Sequence, residues 1–421
     1  QREKPDLIAF ETKTPVVKQH WKIINEIKQL AAGSWQLTTV LFGDHVTALP
    51  EESFRNSEVD FVLSGGDYDF LLLNLCSYLE PSTYDLAPRS LEPGIYYRDN
   101  GQIKTAGPFQ LNHDLNSIPL IDRDLTKWQL YAYKNGNYKL TPGTYIMSGR
   151  DCWWGRCSYC SWTQMYPQFR ARKVENVLNE TEGLIEDNGI REIMDDSGCF
   201  PIGDWLRDFS NGAIKRGINK RIYLDCNMRF GALRFDEFSL MKKANFRLLL
   251  FGLESANQKT LDRINKNLKV ERIIEDCKSA SRAGLKPHIT IMFGYPWETY
   301  EEALNTLKLG IWLLKKGYAY TMQATIVIPY PGTTLFEECR RNGQLRTLNW
   351  DDYDMKQPIM QTAIPDSKIK ELVQGMYNAS FNPEFILRKV LSLRDIDDLK
   401  YYLRAARKVI GHIFDFKNSS L

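Results

Sequence analysis

Three of the chain's eight cysteines fall within nine residues, in the segment Arg150-Asp151-Cys152-Trp153-Trp154-Gly155-Arg156-Cys157-Ser158-Tyr159-Cys160. Thiolates this close on one loop can hold three irons of a [4Fe-4S] cluster, leaving the fourth iron open to a small molecule. Structural zinc is a second reading, although such sites want four ligands, usually as two close pairs, and no second cysteine or histidine pair follows. Three unrelated core cysteines are a third reading, because free cysteine packs as a small hydrophobe.

The elements that must position this loop come from 421 residues, 43% hydrophobic and 25% charged, enough for two or three domains with a large core. A net charge of +3 without a dense Lys/Arg tract gives no sign of a nucleic-acid partner. The longest apolar runs, such as Phe246 to Leu253, are broken by Arg247 and fall far short of a membrane span, so no transmembrane segment is expected. Gln1-Arg2-Glu3-Lys4-Pro5 has no signal-peptide pattern, and Cys76, Cys199, Cys226, Cys277 and Cys339 are scattered without a disulfide framework. A cytoplasmic location is expected.

Residues 1–88 alternate strand and helix signals: strands at Asp6–Phe10, Leu37–Phe42 and Val59–Leu63, and a helix over Val16–Leu30. The alternation predicts an α/β domain with a doubly wound, flavodoxin-like parallel sheet. Thr12 and Thr14, Gly43, Asp44 and His45, and Gly65 fall in its strand-end loops, where such sheets bind ligands. For His45 a hydrogen-bonded loop role is the competing reading. Residues 89–140, with turns at Pro93-Gly94 and Asn100-Gly101, read as a small hairpin and connector. Over 141–345, strands at Thr144–Met147, Arg191–Met194, Arg221–Leu224, Phe246–Phe251, His288–Phe293 and Gln323–Ile328 predict an open, partial (β/α)6 TIM-type barrel, with the cysteine loop after its first strand. Residues 346–421 read as a helical region. Ser367–Ala379 and Ile396–Phe414 are amphipathic there, and the face of Leu399, Leu403, Ala406 and Ile410 is expected to pack on the barrel. A membrane surface is the alternative, since Arg404, Arg407 and Lys408 lie off that face.

Polar residues stand where the barrel's apolar runs stop: Asp195-Asp196-Ser197, Asp225 to Arg229, Gly252 to Ser255, Gly294 to Thr299 and Pro329 to Thr333. Singly, each reads as a helix cap or a turn. Together they would form one rim.

Tyr159 directly before Cys160 resembles the cysteine loop of radical S-adenosylmethionine (SAM) enzymes, whose usual spacing is Cys-x3-Cys-x2-Cys; here the first gap holds four residues. Phe251 to Ser255 with Leu261 to Lys266, Met292 to Thr299, and Pro329 to Leu335 followed by Gly343 are similar to that family's later motifs. Residues 6–88 resemble the latter half of the cobalamin-binding domain that precedes the barrel in one branch, with the first strand-helix units missing. The resemblance implies that Cys152, Cys157 and Cys160 bind a [4Fe-4S] cluster whose open iron chelates SAM. It places Tyr159 near the adenine, makes Glu254 and Arg229 candidates for the ribose and carboxylate, and adds Asp195. For the last three, a structural salt bridge is the alternative. Thr12, Thr14, Gly43, Asp44, His45 and Gly65 would line cobalamin. The implied activity is C-methylation at an unactivated carbon through a 5′-deoxyadenosyl radical and methylcobalamin, with a flavodoxin or ferredoxin as electron donor. The alternatives are oxidative cyclisation, C-C coupling or a non-catalytic iron-sulfur protein; a tRNA methylthiotransferase would need further cluster cysteines. The rim aromatics Trp153, Trp154, Trp162, Tyr166, Tyr295 and Trp297 are compatible with a peptide, lipid or tetrapyrrole substrate.

Overall fold

The computed structural model describes residues 4–80 and 90–417, the last helices partly by backbone alone. The chain forms two compact units and crosses between them repeatedly: 1–114, 155–168 and 328–354 make the first, and 115–154, 169–327 and 355–421 the second. This regroups the contiguous segments expected from the sequence.

In the first unit, β1 (Leu7–Glu11), β2 (Thr38–Phe42) and β3 (Phe61–Leu63) are parallel. Between them runs α1 (Val17–Ala31), which buries Val17, Trp21, Ile24 and Ala31, positions that recur on one helical face. After β3, α2 (Tyr68–Leu79) adds Leu71 and Leu75 to a core with Val40, Leu63 and Ile95. The 89–140 segment does not act only as a connector. Its hairpin, β4 (Ile95–Asp99) and β5 (Gln102–Thr105), extends this sheet, because the exposed edge of β3 takes β4 as an antiparallel partner. The doubly wound expectation is also corrected. Strand order advances from β1 to β5 without the reversal that defines such a sheet.

The second unit holds six parallel strands in chain order: β6 (Gly143–Ile146), β7 (Glu192–Asp195), β8 (Tyr223–Met228), β9 (Phe246–Glu254), β10 (Lys286–Phe293) and β11 (Thr321–Ile326). Helices α3 (Val174–Asn188), α4 (Asp204–Lys215), α5 (Phe235–Lys243), α6 (Gln258–Arg263), α7 (Val270–Arg282) and α8 (Tyr300–Lys316) fill the crossovers. Near-continuous burial along β9 is what a sheet covered on both faces requires. The start of α8 is set by Thr299, whose hydroxyl accepts from the Glu302 amide while the Glu302 carboxylate accepts from the Thr299 amide.

Strand β8 begins and ends later than its apolar run indicated. Asp225 is therefore no rim residue: it lies inside the strand, where Arg247 reaches it at 2.6 Å. The same guanidinium contacts Glu192 at 2.6 Å, and that carboxylate also accepts the amides of Lys139 and Leu140. Three buried charges with every partner close at hand are tolerable, whereas one alone would not be.

Helices α9 (Thr334–Arg341) in the first unit and α10 (Asp366–Asn378), α11 (Pro383–Leu391) and α12 (Ile396–Lys417) in the second complete the chain. Helix α10 buries Ile369, Leu372, Val373, Met376 and Tyr377 on one face. Helix α12 contradicts its expected orientation. Asp398 and Tyr401 are buried while Leu399, Leu403 and Ala406 are exposed; Lys408 and Ile410 lie outside the residues whose side chains are described. Among the described residues no helix is long and apolar enough to cross a membrane.

Candidate active site

The cysteine loop starts from β6, and in the second unit its first half is tied to the ends of the neighbouring strands. Asp195, the last residue of β7, accepts from the Ser148 amide at 2.9 Å, from the Ser148 hydroxyl and from the Ser197 amide at 3.1 Å. Burial pushes its carboxyl up to about 6 against those hydrogen bonds. These bonds tie the residues before the loop to the end of β7. Asp151 accepts from the Gly198 amide, and burial raises it to about 7. Trp153 donates its indole N–H to the Phe200 carbonyl at 3.2 Å, and Trp154 donates to Asn265 at 3.0 Å.

Arg229, one residue past β8, stacks its guanidinium 4.3 Å from the Trp154 ring centroid and donates to the carbonyls of Phe230, Lys266 and Asn267. These contacts clamp the 265–267 turn against Trp154. Glu254 ends β9 with φ at +63°, in the left-handed region that non-glycine residues rarely adopt, beside a register shift between β9 and β10. It is buried and paired with Lys266 at 2.7 Å. Sequence reasoning missed Lys266 as a site residue, although its signal was present in the Leu261 to Lys266 motif.

The next motif residues brace this corner. Glu298 accepts from Ser255 and Thr260, each at 2.7 Å, and from Asn257 at 3.1 Å, while the Ala256 amide donates to Thr306 at 2.8 Å. Burial raises the Glu298 carboxyl against these bonds. The Gly-x-Glu-Ser and Pro-x-Glu-Thr segments are thereby one strap joining β9, α6 and α8. The Pro329 to Thr333 segment belongs to the first unit, so the second unit's rim comes from β7 to β10.

In the first unit, the second half of the cysteine loop is fixed to the sheet's strand-end loops. The Cys160 amide donates to Cys157 at 3.3 Å, and Ser158 accepts from Leu335 at 2.9 Å, at the start of α9. Gln164 donates to Asp44 and Pro331, and the Tyr166 hydroxyl donates to the Gly66 carbonyl at 3.1 Å. Burial raises the Asp44 carboxyl although the His45 amide and the Ser161 hydroxyl donate to it.

Most of the residues expected to line cobalamin are engaged within this unit. His45 is buried, with Nδ1 3.3 Å from the Thr14 hydroxyl and Nε2 3.1 Å from Glu52. Burial alone would raise Glu52, but hydrogen bonds from His45 and Trp350 hold it below its ordinary value. His45 thus lies hydrogen-bonded in the short helix Asp44–Ala48. Gly43 has φ +121°, and a Cβ there would come 2.3 Å from the Thr12 carbonyl oxygen, so the backbone itself demands glycine. Gly65 and Gly66 are covered by the Phe109 and Tyr166 rings. Thr12 is buried, with its hydroxyl unpaired.

Cys152, Cys157 and Cys160 are half-buried, whereas Cys199, Cys226, Cys277 and Cys339 are buried and burial raises the thiols of the first three of these. Tyr159 is half-buried. The loop thiols thus have the access a cluster needs and the buried ones do not. Among the described residues no three histidine, cysteine or carboxylate side chains stand gathered as a metal site, so the ligand assignment rests on the loop's sequence.

Comparison with known proteins adds the family. Residues 146–310 match the Radical SAM superfamily. The chain is 26% identical over 397 residues to an uncharacterised methyltransferase of Pyrococcus horikoshii, covering 93% of this chain and 81% of that protein. It is 24% identical over 389 residues to the anaerobic magnesium-protoporphyrin IX monomethyl ester cyclase of Cereibacter sphaeroides, covering 89% of this chain and 59% of that one. Among solved structures it is similar to the radical SAM methyltransferase TsrM of Kitasatospora setae with cobalamin and a [4Fe-4S] cluster bound, at TM-score 0.68 and 14% identity, over 97% of this chain and 89% of that one. The matched segment starts at the end of β6, the first strand of the six-stranded parallel sheet, and carries the cysteine loop at its head, so residues 146–310 form a radical SAM domain.

Proposed function

We propose that this is a cobalamin-dependent radical SAM enzyme that methylates an unactivated carbon. The observation that carries the reading is a fold likeness running through both units to a methyltransferase solved with both cofactors. Relatives named for methyl transfer support it. Cys152, Cys157 and Cys160 would ligate the cluster, and Tyr159, Glu254 and its partner Lys266 are the candidates to face SAM. When bound, the cluster supplies an electron to the sulfonium and cobalamin carries the methyl group. The protein's own work is to hold the loop. Asp195 and Trp153 fix its start, the Arg229 and Trp154 stack fixes its middle, and Ser158, Gln164 and Tyr166 fix its end. Cobalamin would lie at the strand-end side of the first sheet. Reaching Gly65 and Gly66 there would require the Phe109 and Tyr166 rings to move, so Thr12 and the strand-end backbone are the better candidate contacts.

Cyclisation is the second reading, favoured by the cyclase relative, and a tetrapyrrole would then be the substrate class. No cysteine among the described residues is disulfide-bonded, which fits a reducing cytoplasm supplying a low-potential electron donor. Anaerobic reconstitution with hydroxocobalamin, SAM and reductant separates the readings. Methyl transfer is expected to retain a corrin after desalting and to generate S-adenosylhomocysteine beside 5′-deoxyadenosine. 5′-Deoxyadenosine alone would overturn methyl transfer.

A further inference from the structure

We propose that α11 and α12 dock the protein on an anionic lipid surface. An amphipathic helix on a globular unit normally turns its apolar stripe inward. Helix α12 does the reverse. Leu399 is 45% exposed and Leu403 57%, and on α11 Leu391 is 76% exposed. The inward positions of α12 are polar: Asp398 pairs with Lys139 at 2.7 Å, Tyr401 lies under the Arg247 guanidinium, and Arg404 donates to the Tyr138 and Lys139 carbonyls.

Charge is segregated along with polarity. The described acidic residues of α12 are neutralised, Asp397 by Arg191 at 2.9 Å and Asp398 by Lys139, while Lys400 and Arg407 are exposed beside the leucines. A hollow of about 720 Å³ next to α12 is bordered by Leu130, Tyr131, Tyr133 and Lys134 with Arg404 and Arg407. An apolar cavity of about 350 Å³ opens on its other side, lined by Ile386, Val390, Leu393 and Leu399. Exposed leucines and unneutralised cations on these helices, with the polar-tipped tyrosines of the neighbouring 130–134 segment, suit the headgroup boundary of a negatively charged bilayer. A second copy suits it less. Isologous pairing through this face would set Lys400 and Arg407 against their own equivalents.

The test is co-sedimentation of the full chain with vesicles of phosphatidylcholine alone and of phosphatidylcholine containing about a quarter phosphatidylglycerol, at low and high salt. Binding is expected to the anionic vesicles, weakened by salt through screening. Leu399→Gln with Leu403→Gln, and separately Lys400→Glu with Arg407→Glu, should each weaken it by about tenfold or more, with melting temperature and SAM cleavage unchanged. The proposal falls if the wild type stays in the supernatant, or if it binds neutral and anionic vesicles alike and the charge variant does not differ. A concentration-dependent dimer that Leu403→Gln dissolves, without vesicle binding, would assign the face to a second copy instead.

Discussion

Several of the charged residues named from the sequence are occupied by partners in the fold, and this fixes what their replacement should do. Lys266 and Glu254 form a buried pair at 2.7 Å, so Lys266→Ala leaves an uncompensated carboxylate and should cost about 3 to 5 kcal/mol in urea unfolding. Lys266→Met with Glu254→Leu should cost much less, because both charges leave together. A small loss in the single variant would show that Glu254 is solvated. Asp195 gives a pH signature. Its folded value of about 6 lies above the ordinary 3.8 because the carboxyl is buried, so the folded chain keeps a proton that the unfolded chain releases. The stability linked to that proton is full below pH about 4 and lost as pH rises through about 6, a change of about 2 to 3 kcal/mol. Asp195→Asn should remove that part of the slope when urea midpoints are compared across the range, and identical slopes in the two proteins would refute it.

The loops between strands and helices act as straps, and breaking one should loosen its neighbours before it unfolds the chain. Glu298 gathers donors from Ser255, Asn257 and Thr260, so Glu298→Ala should speed amide exchange over 255–260 and at the start of α8 and lower stability by about 3 kcal/mol. Exchange unchanged there would mean that the strap carries no load. Gly43→Ala should destabilise the first unit through the clash with the Thr12 carbonyl, in protein that has never met a cofactor. This level also shows what the sequence could and could not tell. Apolar runs located all six parallel strands of the second unit, because buried strands read as continuous hydrophobic stretches. They misplaced β8, since Asp225 and Asn227 continue it only by virtue of Arg247 and Ser197, partners distant in the chain. Strand-end position was legible for Asp195, Arg229 and Glu254, but Ser148 and the 266–267 carbonyls are tertiary partners that no local pattern announces. Periodicity found the apolar face of α12 but not the direction it turns.

At the scale of the whole chain, Cys152, Cys157 and Cys160 follow β6 on one continuous loop. The central claim is that these three residues hold the cluster that cleaves SAM. Its most direct test is anaerobic reconstitution with iron and sulfide, followed by reduction with SAM present and quantification of iron and 5′-deoxyadenosine. The wild type and Cys277→Ala, whose thiol is buried in α7, should each take up about four irons per chain and release 5′-deoxyadenosine. The combined alanine variant of Cys152, Cys157 and Cys160 should do neither. Stoichiometric zinc without iron uptake in the wild type, or undiminished 5′-deoxyadenosine in the combined variant, would contradict the claim.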